Sequence, residues 1–277
     1  MYAKKQNRVR PRVIGCFATL LAILAIPGLY YGIQAYLRSK PITPTQYIAH
    51  RGGPIHAPEN TLSAFRTAIQ QGVDWLEFDV QMTKDDELVV IHDESVDRTT
   101  NGMGEVRNLT LDQIRALDAG SGEQVPTFEE VVRLAKMNGV KILPETKSAH
   151  LYPGIETKLM QELEELDYVD QTVVQSFEPA SLDTLHRLNP DLNFCALYGL
   201  WQFDISNPPA DSQFVCPMAE MVLIFPSMIQ QAHREGRQVF VWFGVMEHPL
   251  MFRAMRFFGA DGLMSDDPLL LVQSVAP

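Results

Sequence analysis

Short apolar, β-rich runs alternate with amphipathic helical stretches from residue 47 onward, and this alternation constrains the fold more than any other feature. Apolar residues recur with period two in strands, and three and four apart in helices. The predicted strands are 47–51, 75–81, 88–91, 141–144, 172–176, 193–197, 239–243 and 262–264, with 198–221 left irregular. Eight strands with helices between them predict an α/β fold, a (β/α)₈ TIM barrel.

One long segment interrupts this alternation. Residues 93–125 are rich in turn residues and contain only a short helical piece, so we interpret them as an insertion after the third predicted strand. Because the insertion follows the C-terminal end of that strand, we expect it over the face that carries barrel active sites. The barrel domain is predicted to span residues 47–277.

Charged and aromatic residues collect at the C-terminal ends of the predicted strands. They are His50, Arg51, Glu77, Asp79, His92, Glu145, Lys147, Phe177 and Trp242. The C-terminal ends of barrel strands share one face, so these side chains are predicted to form one site. The two aromatic residues suit either barrel packing or ligand contact. Asp266, after the last strand, is assigned a structural role.

Three of these residues are carboxylates suited to a hard cation. Glu77 and Asp79 stand two apart on one strand, so both side chains leave the same face. Glu145 stands in the run ILPETK, where a barrel interior would otherwise favour an aliphatic residue. Oxygen ligands of this kind suit Ca²⁺ or Mg²⁺, whereas zinc would favour imidazole or thiolate. We therefore predict one divalent cation, Ca²⁺ or Mg²⁺, held by all three.

Two histidines and two cationic residues flank this predicted site. His50 and His92 can divide the proton transfers, one deprotonating the attacking oxygen and the other protonating the leaving oxygen. Arg51 and Lys147 can neutralise the charge that builds on the non-bridging oxygens of a phosphorus centre. The combination predicts acid–base catalysis on an anionic phosphate ester.

The first forty residues differ in composition from the rest. Residues 1–12 carry five Lys or Arg, and residues 13–37 form an uncharged run of 25 residues. As a helix this run would span about 37 Å, more than the roughly 30 Å hydrocarbon core of a bilayer. The positive-inside rule then predicts a cytoplasmic tail 1–12, a transmembrane helix 13–37, a linker 38–46 and an extracytoplasmic barrel. A cleaved signal peptide is the alternative, although no small-x-small cleavage site follows the run.

The net charge of the chain limits the classes of partner that it can bind, and its cysteines allow one disulfide. The first forty residues hold seven of the 23 Lys and Arg and none of the 34 Asp and Glu. Residues 41–277 therefore contain 16 basic and 34 acidic residues, which gives them a formal net charge of −18. Such a surface disfavours nucleic acid and anionic lipid. Cys195 and Cys216 could pair in an oxidising compartment or remain as buried free thiols, and the sequence favours neither.

Five segments resemble the glycerophosphodiester phosphodiesterase family over residues 47–270. They are AHRGGPIHAPENTLSAF (49–65), WLEFDVQMTKDDELVVIHDESVDRTTNGMGEV (75–106), ILPETK (142–147), QSFEP (175–179) and GADGLMSDDP (259–268). The resemblance implies acid–base roles for His50 and His92 and phosphate contacts for Arg51 and Lys147. It also implies cation ligation by the three carboxylates.

Two further expectations follow from the resemblance. Glu59 and Asn60 would order the first loop, and the insertion would shape the glycerol end of the pocket. The chain departs from the family at the predicted seventh strand, where it has VWFGV (241–245) instead of a VWTVN-like run. Because those positions line the leaving-group side, the alcohol that this protein accepts stays open.

The leading hypothesis is metal-dependent hydrolysis of glycerophosphodiesters to glycerol 3-phosphate and an alcohol, in glycerophospholipid metabolism. Either water attacks directly or the neighbouring glycerol hydroxyl attacks first to give a cyclic phosphate. A second hypothesis is lysophospholipase D-type cleavage of lysophospholipids at the membrane. A third is a non-catalytic, membrane-tethered binding module. A relative of phosphoinositide-specific phospholipase C fits the EFDV and LPETK runs less well.

Overall fold

The computed structural model describes residues 45–275 together with Gly32. In that part of the chain the strands are β1 (Gln46–Ala49), β2 (Trp75–Met82), β3 (Leu88–Val90), β4 (Lys141–Thr146), β5 (Val173–Ser176), β6 (Asn193–Tyr198), β7 (Phe214–Pro217), β8 (Gln238–Trp242) and β9 (Gly262–Ser265). Eight of them run parallel in the order β1-β9-β8-β7-β6-β5-β4-β2, and β1 also pairs with β2. The sheet closes on itself, which confirms the predicted (β/α)₈ TIM barrel.

Strand β1 closes the barrel by pairing in parallel on both of its edges. Ile48 lies opposite Trp75 of β2, and Ala49 lies opposite Ser265 of β9. The barrel interior is filled with apolar side chains, and Gly262 leaves room for one of them, because a Cβ there would lie 2.5 Å from the Phe240 ring. The interior is therefore a packed core beneath the strand ends.

The helices outside the barrel are amphipathic. Within the described residues they are α1 (Leu62–Gln70), α2 (Leu111–Arg115), α3 (Phe128–Asn138), α4 (Ile155–Glu165), α5 (Pro179–Leu188), α6 (Ala219–Ile224), α7 (Ser227–Arg234), α8 (Pro249–Phe258) and α9 (Pro268–Val275). Helix α3 illustrates how the sequence sets their ends. The Thr127 hydroxyl accepts from the Glu130 N–H while the Glu130 side chain accepts from the Thr127 N–H, and Gly139 ends the helix at φ +66°.

The prediction that residues 88–91 form the third barrel strand is wrong. Residues Leu88–Val90 form β3, which runs antiparallel to β2 with Val90 opposite Val80. Only five residues, 83–87, separate the two strands. A connection this short makes a hairpin, whereas parallel neighbours need a crossover of about a dozen residues or more. The insertion at 93–125 therefore follows the second barrel strand and its hairpin.

One barrel strand was not predicted. Strand β7 lies inside the segment 198–221, between β6 and β8 in the sheet. Among the described residues no α-helix separates β6 from β7, and the connection contains only the 3-10 turn Pro209–Asp211. The strand was missed because it is four residues long and the expected helix before it is absent. The predicted number of eight barrel strands is correct only because the missed strand β7 offsets the strand wrongly assigned at β3.

A disulfide joins these two neighbouring strands. Cys195 of β6 is bonded to Cys216 of β7, and both are fully buried among the apolar side chains of the barrel interior. The question that the sequence left open is therefore answered in favour of the paired form.

The N-terminal predictions lie outside the described residues. These are the tail 1–12, the transmembrane helix 13–37 and the linker up to residue 44. Among the helices at 45–275, none combines the length and the apolar character that a bilayer crossing requires.

Replacing both cysteines with alanine is expected to lower the free energy of unfolding by about 3 kcal/mol. The bridge closes a loop between residues 21 apart in sequence, which restricts the unfolded chain. Urea titrations of both proteins, with and without reductant during unfolding, measure the difference. If the cysteine-free variant matches the oxidised parent, the bridge does not form in solution.

Candidate active site

The C-terminal ends of the barrel strands surround a pocket of about 300 Å³. Eight predicted site residues line it, namely His50, Arg51, Glu77, His92, Glu145, Lys147, Phe177 and Trp242. The ninth, Asp79, is buried next to the pocket, with Oδ1 3.8 Å from the Lys147 Nζ. The structure therefore brings together all nine residues that the strand ends indicated.

Three carboxylates form the floor of the pocket. Glu77 and Asp79 both lie on β2, and Glu145 lies directly opposite Asp79 on the neighbouring strand β4. One oxygen from each residue lies within 4.8 Å of the others, and all three side chains are buried. The period of two on β2 and the register with β4 bring the oxygens together.

Burial acts against ionisation of this cluster. It raises the pKa of Glu145 to about 8, and burial together with repulsion from Asp79 raises the pKa of Glu77 to about 7. Burial opposes ionisation of Asp79 too, but Arg51 and Lys147 outweigh it and lower the pKa of that carboxyl. The neighbouring side chains alone therefore do not stabilise three ionised carboxylates.

The donor set fits a divalent cation. The Oδ1 atom of Asp79 is buried and accepts no hydrogen bond from any residue of the described chain. Glu77 accepts hydrogen bonds from the Gln175 amide (2.9 Å) and from the Arg51 backbone N–H (2.8 Å), and Lys147 lies 3.0 Å from Glu145 Oε1. A cation would give the orphaned oxygen its partner and let all three carboxylates ionise together.

His50 lies in the turn that follows β1. Its Nδ1 is 2.5 Å from Asp266 Oδ1, and its Nε2 is 4.0 Å from Glu77 Oε2. Burial disfavours the protonated ring, yet the negative charge of Glu77 and the hydrogen bond to Asp266 raise the pKa of His50 to about 9. Asp266, which was assigned only a structural role, therefore orients this histidine.

The same turn carries Arg51 in a left-handed conformation, with φ +50°. Its guanidinium lies 3.3 Å from Glu59 and 3.4 Å from Asp79, and Asn60 donates to Asp79 Oδ2 at 2.9 Å. Gly52 follows at φ +78°, where a Cβ would lie 2.8 Å from the Ala64 side chain. The turn therefore needs glycine at this position, and Glu59 and Asn60 hold the first loop against the carboxylate cluster.

His92 reaches the pocket from the hairpin. Strand β3 runs back toward the barrel, so that the Ile91 N–H donates to the Asp79 carbonyl (3.0 Å), and His92 is the next residue. Its Nδ1 is 2.6 Å from Asp93 Oδ1. Burial and the positive charge of Lys147 lower the pKa of His92, against the opposing effects of Asp79 and Asp93. The ring is therefore mainly neutral near pH 7.

Arg98 is a supporting residue that the sequence analysis did not single out. Its guanidinium binds Asp93 at 2.6 and 3.0 Å and Glu59 at 2.8 and 2.9 Å. It thereby links the insertion to the first loop. Of its two partners, Asp93 binds His92 and Glu59 contacts Arg51. Glu59 and Arg98 are 39 positions apart, so no local spacing signals this contact.

The two predicted aromatic residues face each other across part of the pocket. The Phe177 and Trp242 rings meet edge to face with centroids 5.8 Å apart. The Trp242 indole N–H donates to the carbonyls of Tyr198 and Cys216, at 3.2 and 3.1 Å. These bonds fix the ring, and both side chains line the pocket as well as packing against each other.

Removal of divalent cations is expected to lower the thermal unfolding midpoint, and more at pH 8 than at pH 6. The pKa values of Glu77 and Glu145, about 7 and about 8, lie above the ordinary 4.5, so the folded site retains protons that the unfolded chain releases. Stability without the cation therefore falls as the pH rises through this range. Thermal unfolding with chelator, Ca²⁺ or Mg²⁺ at both pH values measures the effect.

The matched variant is Glu145→Gln, which keeps the shape of the side chain and removes its charge. It should lose most of the cation-dependent shift and part of the pH dependence. A midpoint that is the same with chelator and with either cation, at both pH values, would show that the cluster does not bind a divalent ion.

Comparison with known proteins identifies the family. The model of the glycerophosphoryl diester phosphodiesterase family matches residues 50–270. A protein of Caldanaerobacter subterraneus subsp. tengcongensis named glycerophosphodiester phosphodiesterase is 36% identical over 244 residues, which cover 83% of this chain and 98% of that protein. A Bacillus subtilis protein of the same name is 37% identical over 205 residues, covering 65% of this chain and 69% of that protein.

Solved structures agree with this result. A glycerophosphodiester phosphodiesterase from Agrobacterium tumefaciens superposes with a TM-score of 0.73 at 26% identity, covering 83% of this chain and 99% of that one. An Oleispira antarctica phosphodiesterase, solved with the product sn-glycerol-3-phosphate, gives 0.75 at 25% identity, covering 84% and 98%. The chain therefore belongs to the glycerophosphoryl diester phosphodiesterase family and is an enzyme of that class.

Proposed function

We propose that the protein hydrolyses glycerophosphodiesters to glycerol 3-phosphate and an alcohol, using a divalent cation and the pair His50 and His92. The observation that carries this proposal is the placement of both histidines and three buried carboxylates around a single pocket. The names of the relatives and the product bound to the Oleispira antarctica phosphodiesterase support the choice of substrate.

The chain's own residues bind and orient the phosphate. Arg51 lies 3.4 Å from Asp79 Oδ2 and Lys147 lies 3.8 Å from Asp79 Oδ1, so both positive charges lie beside the carboxylates, and both residues line the pocket. There they can contact the non-bridging oxygens and neutralise the charge that develops during the reaction. A cation held by Glu77, Asp79 and Glu145 would polarise the same oxygens, and Ca²⁺ and Mg²⁺ both suit this donor set.

The two histidines divide the proton transfers. His92 is mainly neutral, and Asp93 holds its Nδ1, so its Nε2 is available to accept the proton of the attacking oxygen. His50 is bound to Asp266 through Nδ1, which favours the protonated ring and lets Nε2 donate to the leaving oxygen. Each histidine therefore has a carboxylate that orients it for one transfer.

The membrane context is a separate part of the proposal, supported by sequence alone. The uncharged run 13–37 would anchor the protein, with residues 1–12 in the cytoplasm and the barrel on the opposite side. Cell fractionation, protease protection and the mass of the mature N-terminus test it. A shortened, soluble product would favour a cleaved signal peptide instead.

Alanine at His50 or at His92 is expected to lower kcat about 10²- to 10⁴-fold, because each change removes a proton-transfer group. The full-length protein is assayed for glycerol 3-phosphate release from glycerophosphocholine and glycerophosphoethanolamine, with chelator and with added Ca²⁺ or Mg²⁺. Glu77→Gln should weaken the dependence on added cation and reduce turnover.

The control is His233→Ala, which removes an exposed histidine that pairs with Asp261 outside the pocket. It should keep the parent's activity. Full turnover in the His50 or His92 variant would refute the acid–base assignment. A parent protein that binds the cation but releases glycerol 3-phosphate from neither diester would refute the proposed substrates.

On the acidic side of its pH profile, kcat/KM is expected to rise as His92 loses its proton. Asp93→Asn removes a carboxylate whose hydrogen bond favours the protonated ring, so the pKa of His92 falls and this rise moves to lower pH. Rates from pH 4.5 to 9 for parent and variant measure the shift. A rise that stays in place, or moves to higher pH, would rule out His92 as the group that titrates there.

A further inference from the structure

The pocket has two walls of different chemistry. Its charged residues come from the segment after β9, from the turn after β1, from β2 and its hairpin, and from the end of β4, which are neighbours in the barrel. The opposite wall comes mainly from β5, β6 and β8, and it is lined by Phe177, Leu197, Trp242 and Phe243. A phosphate bound at the charged wall would therefore present one of its two ester groups to an apolar surface.

The apolar wall continues outside the pocket. We name this exposed surface the apolar rim, and it consists of Leu200, Trp201, Leu223, Ile224, Phe225, Val245 and Met246. All seven follow β6, β7 or β8, which are consecutive strands of the barrel, and β6 and β8 also supply the apolar wall. Trp201 is 71% exposed and Val245 is 88% exposed. Exposed apolar side chains clustered at the edge of a pocket indicate a binding surface.

Contacts link the three segments that carry the rim. Phe203 lies between Trp201 and Phe225, with ring centroids 6.3 and 4.7 Å away. The carboxylate of Glu220 accepts the N–H groups of Val245 and Met246, at 2.9 and 3.0 Å. These bonds hold the loop after β8 in place while its apolar side chains stay exposed to solvent.

The rim also meets the pocket directly. A Cβ at Gly199 would lie 3.6 Å from the Phe177 ring, so the chain that leads into Leu200 and Trp201 packs on the apolar wall. Gly244, which precedes Val245, lines the pocket itself. An extended ligand can therefore run from the phosphate position along the wall and onto the rim.

The charge of this region indicates what it binds. Residues 188–233 contain no Lys or Arg, while Asp204, Asp211 and Glu220 are acidic. This segment itself therefore supplies no cation for a second phosphate or for an anionic lipid head group, and Arg237, which reaches it, is bound to Asp211 and to the Ser212 carbonyl. Its apolar area is suited to hydrocarbon.

We propose that the apolar wall and the apolar rim form a subsite for a hydrocarbon chain carried by one ester group of the substrate. The substrates so favoured are amphiphilic glycerophosphodiesters, each with a polar phosphate end and one alkyl or acyl chain. This inference rests on the proposed phosphodiesterase activity and specifies its substrate class.

The first test uses two soluble series with the full-length protein. One series is glycerophospho-alkanols with ethyl, butyl, hexyl and octyl groups, in which the chain is on the alcohol. The other is lysophosphatidylcholines with short acyl chains, in which the chain is on the glycerol. Below the micellar concentration, kcat/KM should rise about two- to fourfold per added methylene in the series whose chain reaches the rim.

The second test removes part of the rim. Trp201→Ser and Val245→Ser should each lower kcat/KM for the octyl or longest acyl substrate about three- to tenfold, because buried hydrocarbon contact is lost. Neither residue is among those that line the pocket, so glycerophosphoethanol should be cut at the parent's rate. The matched control is Met137→Ser, an equally exposed apolar residue (77%) near the end of α3, before the N-terminal end of β4.

The outcomes separate this inference from the proposed function. If glycerophosphoethanol is cut but chain length has no effect in either series, the hydrocarbon subsite is refuted and the phosphodiesterase proposal stands. If no diester is cut at all, the proposed function fails first. If the rim variants lower turnover only for substrate presented in phosphatidylcholine vesicles, the rim docks a bilayer and the subsite proposal is wrong. Equal losses in the Met137 control would also overturn it.

Discussion

The site depends on the burial of three carboxylates at one point in the barrel. Glu77, Asp79 and Glu145 lie on adjacent parallel strands whose register brings their oxygens within 4.8 Å of one another. Burial of like charges is unfavourable, which is why the pKa values of Glu77 and Glu145 are raised and why Arg51 and Lys147 lie alongside. The cluster has unused ligand capacity, since Asp79 retains a buried oxygen without a hydrogen bond.

Around this cluster, carboxylates outside the floor of the pocket orient the groups that would react. Asp266 holds His50 and Asp93 holds His92, each through Nδ1. Arg98 then joins Asp93 to Glu59, so the insertion and the first loop support one another across the pocket. His50 and His92 lie outside the strands, and charged contacts that bridge distant parts of the chain fix their surroundings.

The opposite side of the barrel is organised by apolar contacts. The disulfide between Cys195 and Cys216 and the bonded indole of Trp242 hold β6, β7 and β8 together beneath the apolar wall. Above them, Glu220 supports a loop whose side chains remain exposed. The pocket is thereby divided between a wall that suits phosphate and a wall that suits hydrocarbon, and this division follows the order of strands around the barrel.

The fold class, and the nine residues that meet at the strand ends, could be predicted from the sequence alone. Alternation of strands and helices predicted the barrel, and the period of two at Glu77 and Asp79 predicted their shared face, because both signals are local and repeat along the chain. Local signals could not identify β7, which is short and follows no helix. The antiparallel direction of β3 could have been predicted, because its five-residue connection to β2 is too short for a parallel crossover. The tertiary structure alone decided the pairing of the cysteines, the bond between His50 and Asp266, and the link through Arg98. Each joins residues that only chain folding brings together, so no spacing in the sequence records them.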